Sequence, residues 1–218
     1  MDDICFIIFF KIRMKFEELL IYISAIPAAI VYTEFIGYWL HRFMHIDKIK
    51  YFSLSHMIHH LKLYGPKMPK RTDKYLSAVI NRASIGKVGL EWLIPAGACV
   101  IGTFFLIYLI GFDIYFNSVF IVVTISWILV NFNYIHDGMH VKDFWMTKNK
   151  IVKSTFLKAR RLHDLHHMEL NNKGQMNKNF GISFFWFDRI FGTYQKHPKP
   201  FNEEGYEAAL KRYKYIFS

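Results

Sequence analysis

The sequence predicts an all-α integral membrane protein, with about three transmembrane helices beneath a cytoplasmic helical cap. Three observations carry this. Apolar stretches run over Leu19–Leu40, Leu90–Ile110 and Ile114–Ile135. Each is about as long as a helix needs to cross a hydrocarbon core of ~30 Å. Lysine and arginine are confined to segments outside these stretches, and ten of the eleven histidines fall into four clusters at helical spacing.

With 218 residues, the chain suits a single domain over 1–218. It is 53% hydrophobic yet carries a net charge of +11, a combination natural to a membrane protein, whose apolar and charged residues occupy different segments. A soluble bundle of buried helices is the competing reading, but buried core helices seldom stay apolar this long. The start, "MDDICFIIFFKIRMK", has acidic residues before a short apolar run and no small-residue cleavage site. It does not read as a signal peptide; residues 1–18 are expected to form a peripheral, interfacial segment, and 195–218 a C-terminal tail. Cys5 and Cys99 lie far apart in apolar surroundings and read as buried free thiols.

The second and third stretches are separated by Gly111, Phe112 and Asp113 alone, which predicts a tight helical hairpin. Ten Lys and Arg lie in 41–89 and fifteen in 136–218, against none at the hairpin tip. The positive-inside rule places both basic segments in the cytoplasm. Trp39, Trp92 and Tyr134 then mark the cytoplasmic ends of the spans as an aromatic belt. The basic excess fits topology and anionic headgroups. No nucleic-acid module is present, so nucleic acid is not an expected partner.

The histidine clusters are "HRFMH" (His41, His45), "HMIHH" (His56, His59, His60), "HDGMH" (His136, His140) and "HDLHH" (His163, His166, His167). Spacings of three and four put the members of a cluster on one helix face. All four clusters fall at span ends or in cytoplasmic segments, so the ten rings are expected to converge just above the membrane. A single pair such as His41/His45 says little alone. Ten buried imidazoles without a metal would carry costly unpaired charge when protonated. Ten is too many for one ion and fits two; imidazole suits iron, zinc, copper and nickel, and spacing does not choose among them. His197 stands apart and reads as a solvated loop residue.

In this order the clusters resemble the fatty acid hydroxylase and sterol desaturase superfamily. Its pattern is a spaced histidine pair, HxxHH, a second pair or single histidine and a closing HxxHH, and all four elements occur here in order with a two-span hairpin between the second and third. "YWLHR" (38–42) resembles the first box of sterol desaturases, and "NFGISFFWFDRIFGTY" (179–194) the family's closing signature. The resemblance covers Glu34 to Tyr194. It departs in the first pair, where three rather than four residues intervene. "HDGMH" and "EFIGYWLHRFMH" are also similar to carotenoid hydroxylases.

The resemblance implies a non-haem di-iron membrane oxidoreductase. Two Fe ions, with zinc as the alternative occupant of isolated protein, would be held by the ten clustered histidines. O2 would be co-substrate for hydroxylating or desaturating an unactivated C–H bond of a sterol-like or fatty-acyl lipid. Carotenoid hydroxylation is the nearest alternative. A membrane metal transporter or metal sensor is the alternative from a different class, and a structural zinc protein leaves ligands over. The expected partners are the lipid substrate, the bilayer and a separate electron-donor protein. The expected setting is a multi-pass protein of the bacterial inner membrane or endoplasmic reticulum, with its site on the cytoplasmic face. Ligand imidazoles need acceptors for their second nitrogen. Asp137 and Asp164 adjoin ligand histidines. Glu34, inside the first span, lies within roughly 20° of His41 and His45 on a helix wheel. It reads either as a support for those rings or as an interhelical hydrogen-bonding group. In the closing signature, Asn179 and Gly181 are expected to form a turn, Asp188 and Arg189 a surface ion pair, and Phe184, Phe185, Trp186, Phe187 and Phe191 an interfacial anchor.

Overall fold

Uninterrupted apolar sequence favours long helices, and among its described residues the computed structural model is helical apart from one minimal β ladder. It describes residues 2–76, 84–85 and 88–218, with side chains for 17–76 and 93–218. Helix α1 runs unbroken from Asp2 to Met44 and accommodates Pro27. It thus joins the expected peripheral segment to the first apolar stretch. Helix α2 (Lys50–Ile58) continues as a π turn over His59–Leu63. Strands β1 (Ser84–Ile85) and β2 (Val88–Gly89) pair antiparallel, Ser84 opposite Gly89 and Ile85 opposite Val88. Helices α3 (Leu90–Leu109) and α4 (Ile114–Ile128) form the expected hairpin. Gly111 makes its turn at φ +98°, and Asp113 caps α4 by accepting from the amides of Tyr115 (2.8 Å) and Phe116 (2.9 Å).

Helix α4 runs on through a π segment, Leu129–Ile135, into α5 (His136–His140). The rest of the chain builds the cap: α6 (Lys153–Met168), α7 (Trp186–Ile190) and α8 (Glu203–Arg212), followed by a 3₁₀ turn over Lys214–Ile216. The expected C-terminal tail is therefore structured. Tyr206, Ala209, Tyr213 and Ile216 pack with Met57, Leu61, Leu170 and Met176 in one cap core. A second core joins Met139, Leu162, Leu165, Ile182 and Phe185. Each fully buried leucine there contributes about 2 kcal/mol.

Small residues let α1 lie close against α4. Ala25 and Ala29 are fully buried against Phe116 and Phe120, and a Cβ on Gly37 would lie 2.0 Å from the Phe132 ring. The outward faces are apolar: Leu109 is 79% exposed, Ile110 64% and Val122 62%. Among the described residues, two stretches, Glu17–Met44 and Ile114–His140, are long and apolar enough to cross a membrane. The third expected span is represented by the shorter apolar stretch Leu93–Leu109. Of the expected belt, Trp39 and Tyr134 are exposed, while the side chain of Trp92 lies outside the described residues, as does that of Cys5. Cys99 is a free, half-buried thiol.

Candidate metal centre

The four histidine clusters converge, as their placement at the span ends and in the adjoining segments predicts, and they sort into two groups of five. Site A gathers His41, His45, His56, His60 and His166; site B gathers His59, His136, His140, His163 and His167. Within each group one nitrogen per ring lies within 4.8 Å of the others. The building rule is local. Residues four apart on a helix share a face, so the pairs 41/45 and 56/60 serve site A, and 136/140 and 163/167 serve site B. Each site then takes one ring from the other's HxxHH box: His166 joins site A and His59 joins site B. The neighbours His59 and His60 diverge at the start of the π turn, where the amide of Tyr64 reaches the carbonyl of His59 (2.9 Å). The sites adjoin, since the rings of His60 and His167 stack at 3.9 Å.

Ring-to-ring distances test whether a metal fits. In site A the Nε2 of His45 lies 3.0 Å from that of His56 and 3.2 Å from that of His166. In site B the Nε2 of His163 lies 3.0 Å from that of His140 and 3.1 Å from that of His167. A neutral imidazole has a single N–H, so these rings cannot all satisfy one another by hydrogen bonding. Ligands about 2.1 Å from a shared ion and at right angles would sit about 3.0 Å apart. Further ring nitrogens, including Nε2 of His41, His59 and His60, are buried without a hydrogen-bond partner. Each costs about 1–3 kcal/mol unless something binds it. The donor set fits a metal.

Electrostatics keep the rings in the form a metal needs. Burial first, and then neighbouring imidazoles, hold His45, His56, His59, His60, His163 and His167 well below the usual histidine range. Burial lowers His166 to about 4 against the opposing pull of the Lys178 carbonyl. Neutral imidazole is the metal-binding form.

Backbone carbonyls orient the rings. His41 Nδ1 lies 2.6 Å from the Phe180 carbonyl, His166 Nδ1 lies 2.6 Å from that of Lys178, and His167 Nδ1 lies 3.1 Å from that of Tyr64. Donating Nδ1–H in this way leaves Nε2 facing its site. The two site A carbonyls flank Asn179, which holds a left-handed φ of +55°. Its side chain donates to the carbonyls of Leu162 (3.2 Å) and Gln195 (2.9 Å) and accepts from the Gln195 amide (2.8 Å). The closing signature is thus the turn that aims two carbonyls at two rings of one site.

The surface ion pair expected of Asp188 and Arg189 does not form. Asp188 is fully buried and accepts from the amides of Phe180 (2.7 Å) and Gly181 (2.8 Å) and from the Thr193 hydroxyl (2.7 Å). A carboxylate that satisfies three donors of its own loop has no need of a surface partner. Arg189 lies over the Tyr194 ring instead. Backbone packs closely on Gly181: a Cβ there would meet the Phe184 carbonyl at 2.4 Å. Phe185 belongs to the cap core, while Trp186 and Phe191 are exposed.

The three carboxylates expected beside the rings fare differently. Asp137 lies 3.5 Å from His136 Nδ1 and also bonds the Tyr75 hydroxyl. Asp164 pairs with Arg71. Buried Glu34 accepts from the Trp127 indole (2.8 Å) and the Asn131 amide (2.7 Å), tying α1 to α4 and its π segment. This is the interhelical bond that was one of its two readings. His197 is exposed and outside both groups. Three supports escaped the sequence: the carbonyls of Lys178, Phe180 and Tyr64. A backbone acceptor carries no residue-type signal.

The sequence profile described as fatty acid hydroxylase matches residues 26–193. The chain belongs to the fatty acid hydroxylase family. No curated protein and no solved structure matches it. The family match contains all ten clustered histidines and ends before α8. Membership points to a lipid-modifying oxidoreductase, and the buried histidines suit a metal-dependent family.

Proposed function

We propose that this fatty acid hydroxylase family member is an O2-dependent di-iron oxidase that hydroxylates or desaturates a sterol-like or fatty-acyl lipid. The observation that carries the reading is the pair of adjoining five-histidine groups. His41, His45, His56, His60 and His166 hold one iron, and His59, His136, His140, His163 and His167 the other. When bound, the irons supply the O2 chemistry that an unactivated C–H bond requires, since acid–base groups have no purchase on such a bond. The chain supplies the rest. Carbonyls of Phe180, Lys178 and Tyr64 hold ring tautomers, and Asp137 steadies His136. Phe180, at 5.3–5.7 Å from the rings of His41, His45 and His166, excludes water from site A.

The protein crosses the membrane several times through α1, the α3–α4 hairpin and its continuation, with the cap in the cytoplasm of an inner membrane or endoplasmic reticulum. The apolar outer faces and the basic segments 41–89 and 136–218 support this arrangement. Lipid then reaches the site from the bilayer, and electrons come from a separate donor protein on the cytoplasmic side. A transporter would place its ligands near the bilayer midplane in broken helices, whereas these rings gather at the cap ends of α1 and α4.

Metal analysis of anaerobically purified protein, with lipid profiling of cells that have and lack it, tests the reading. Two irons per chain and one oxidised lipid class are expected. His166→Ala should abolish lipid oxidation with membrane insertion intact. Full activity in that variant, or metal uptake into vesicles without O2 consumption, would overturn the assignment.

A further inference from the structure

The C-terminal segment from the last residue of α8 onward lies beyond the family match, yet it is fastened to the chain that carries three site A ligands. Four bonds do this. The Tyr213 hydroxyl donates to the His45 carbonyl (2.8 Å). Arg212 pairs with Asp47 (2.8 Å). The Tyr215 and Ser53 hydroxyls bond at 2.6 Å. Lys62 donates to the Ile216 carbonyl (3.1 Å). Their partners bracket the ligands: one is the His45 backbone itself, and the others stand two residues after His45, three before His56 and two after His60.

The Tyr213 bond meets a specific need. Helix α1 ends at Met44, so the His45 carbonyl lies beyond the helical ladder and needs an outside donor when buried. Tyr213 is fully buried and supplies it. Without that bond, the turn carrying His45 could pivot about the helix end. Site B is fastened by other means: Arg160 donates to the carbonyls of Met139 (2.9 Å) and Val141, bracketing His140, and the Arg71–Asp164 pair adjoins His163.

We propose that Tyr213, with Arg212 beside it, forms a positioning clasp on the turn that carries His45, which sets the metal affinity of site A and leaves site B untouched. The inference rests on the two-site reading above. Groups that hydrogen-bond a ligand's ring directly change metal affinity by about 10- to 100-fold; Tyr213 bonds the ligand's backbone, one step further out, and acts at the lower end of that range.

Cobalt(II) titration of the metal-free, full-length protein in detergent tests it. Wild type should take two equivalents. Tyr213→Phe, which keeps the ring and removes one hydroxyl, should weaken one equivalent by about tenfold and leave the other unchanged. In a His163→Ala background, where site B is crippled, the same change should weaken the remaining equivalent; in a His41→Ala background it should not. Asp47→Asn breaks the partly exposed Arg212 link and should act in the same direction, which keeps the test open if Tyr213→Phe fails to fold. Equal weakening of both equivalents, or of neither, would overturn the clasp. Fewer than two equivalents in the wild type would overturn the two-site reading, and the clasp with it.

Discussion

Replacing Asn179 with alanine tests the link between the closing signature and site A. The change removes three hydrogen bonds, each worth about 1 kcal/mol net. It also forces alanine into a left-handed φ of +55°, at about 1 kcal/mol. The Leu162 carbonyl lies within α6 and keeps its helical partner, so that loss counts for less. The sum is about 3 kcal/mol, a large fraction of a typical stability of about 5–15 kcal/mol. For a chain of this size, it corresponds to a fall in Tm of roughly 6–12 °C. Thermal unfolding in detergent, followed by circular dichroism, reads this directly. The carbonyls of Lys178 and Phe180 flank the substituted residue, so His166 and His41 should lose orientation together, and one of two bound metals should weaken by tenfold or more. A Tm within about 1 °C of wild type would refute the energetic reasoning. A large fall in Tm with both metals held as in the wild type would refute the connection from turn to site.

Three further outcomes are expected. Acid should unfold the metal-free protein: His59, His60 and His163 are held well below 6.5 chiefly by burial, so below pH 6.5 the unfolded chain binds more protons than the native one. Their stabilisation is complete above pH 6.5 and falls by up to ~1.4 kcal/mol per ring per pH unit below it; for His166, native value about 4, the loss is complete near pH 4. A denaturation series showing stability that rises with acid would contradict this. Glu34→Ala should destabilise by roughly 2–4 kcal/mol, because it strands the Trp127 indole and the Asn131 amide away from water, while Glu34→Gln keeps an acceptor and should lose much less; equal Tm losses would argue against the interhelical bond. Turnover with an acidic electron carrier should slow as ionic strength rises, given the net charge of +11; a salt-independent rate would remove electrostatic steering.

Much of the site was legible because its rule is local. Pairs such as His41/His45 and His163/His167 are four apart, and that spacing alone puts two rings on one helix face. The hairpin at Gly111–Asp113 was legible for the same reason. The partition into two sites was not, because it depends on how α1, α2, α5 and α6 meet. Adjacent Asp188 and Arg189 suggested an ion pair, but the buried loop gave the carboxylate three closer donors. Residues 195–218 read as a tail because Tyr213 and Ile216 acquire meaning only against Met57 and Leu61, some 150 positions away.

The π segment Leu129–Ile135 stores the aim of the third histidine pair in residue count rather than in side-chain identity. A π turn holds one residue more than an α turn. Because the wide turn takes up that extra residue, winding Leu129–Ile135 as ordinary α-helix with its length unchanged would swing everything downstream by about 100°, whereas losing one residue together with the π turn would restore the phase. The wide turn is what keeps His136 and His140 facing their partners.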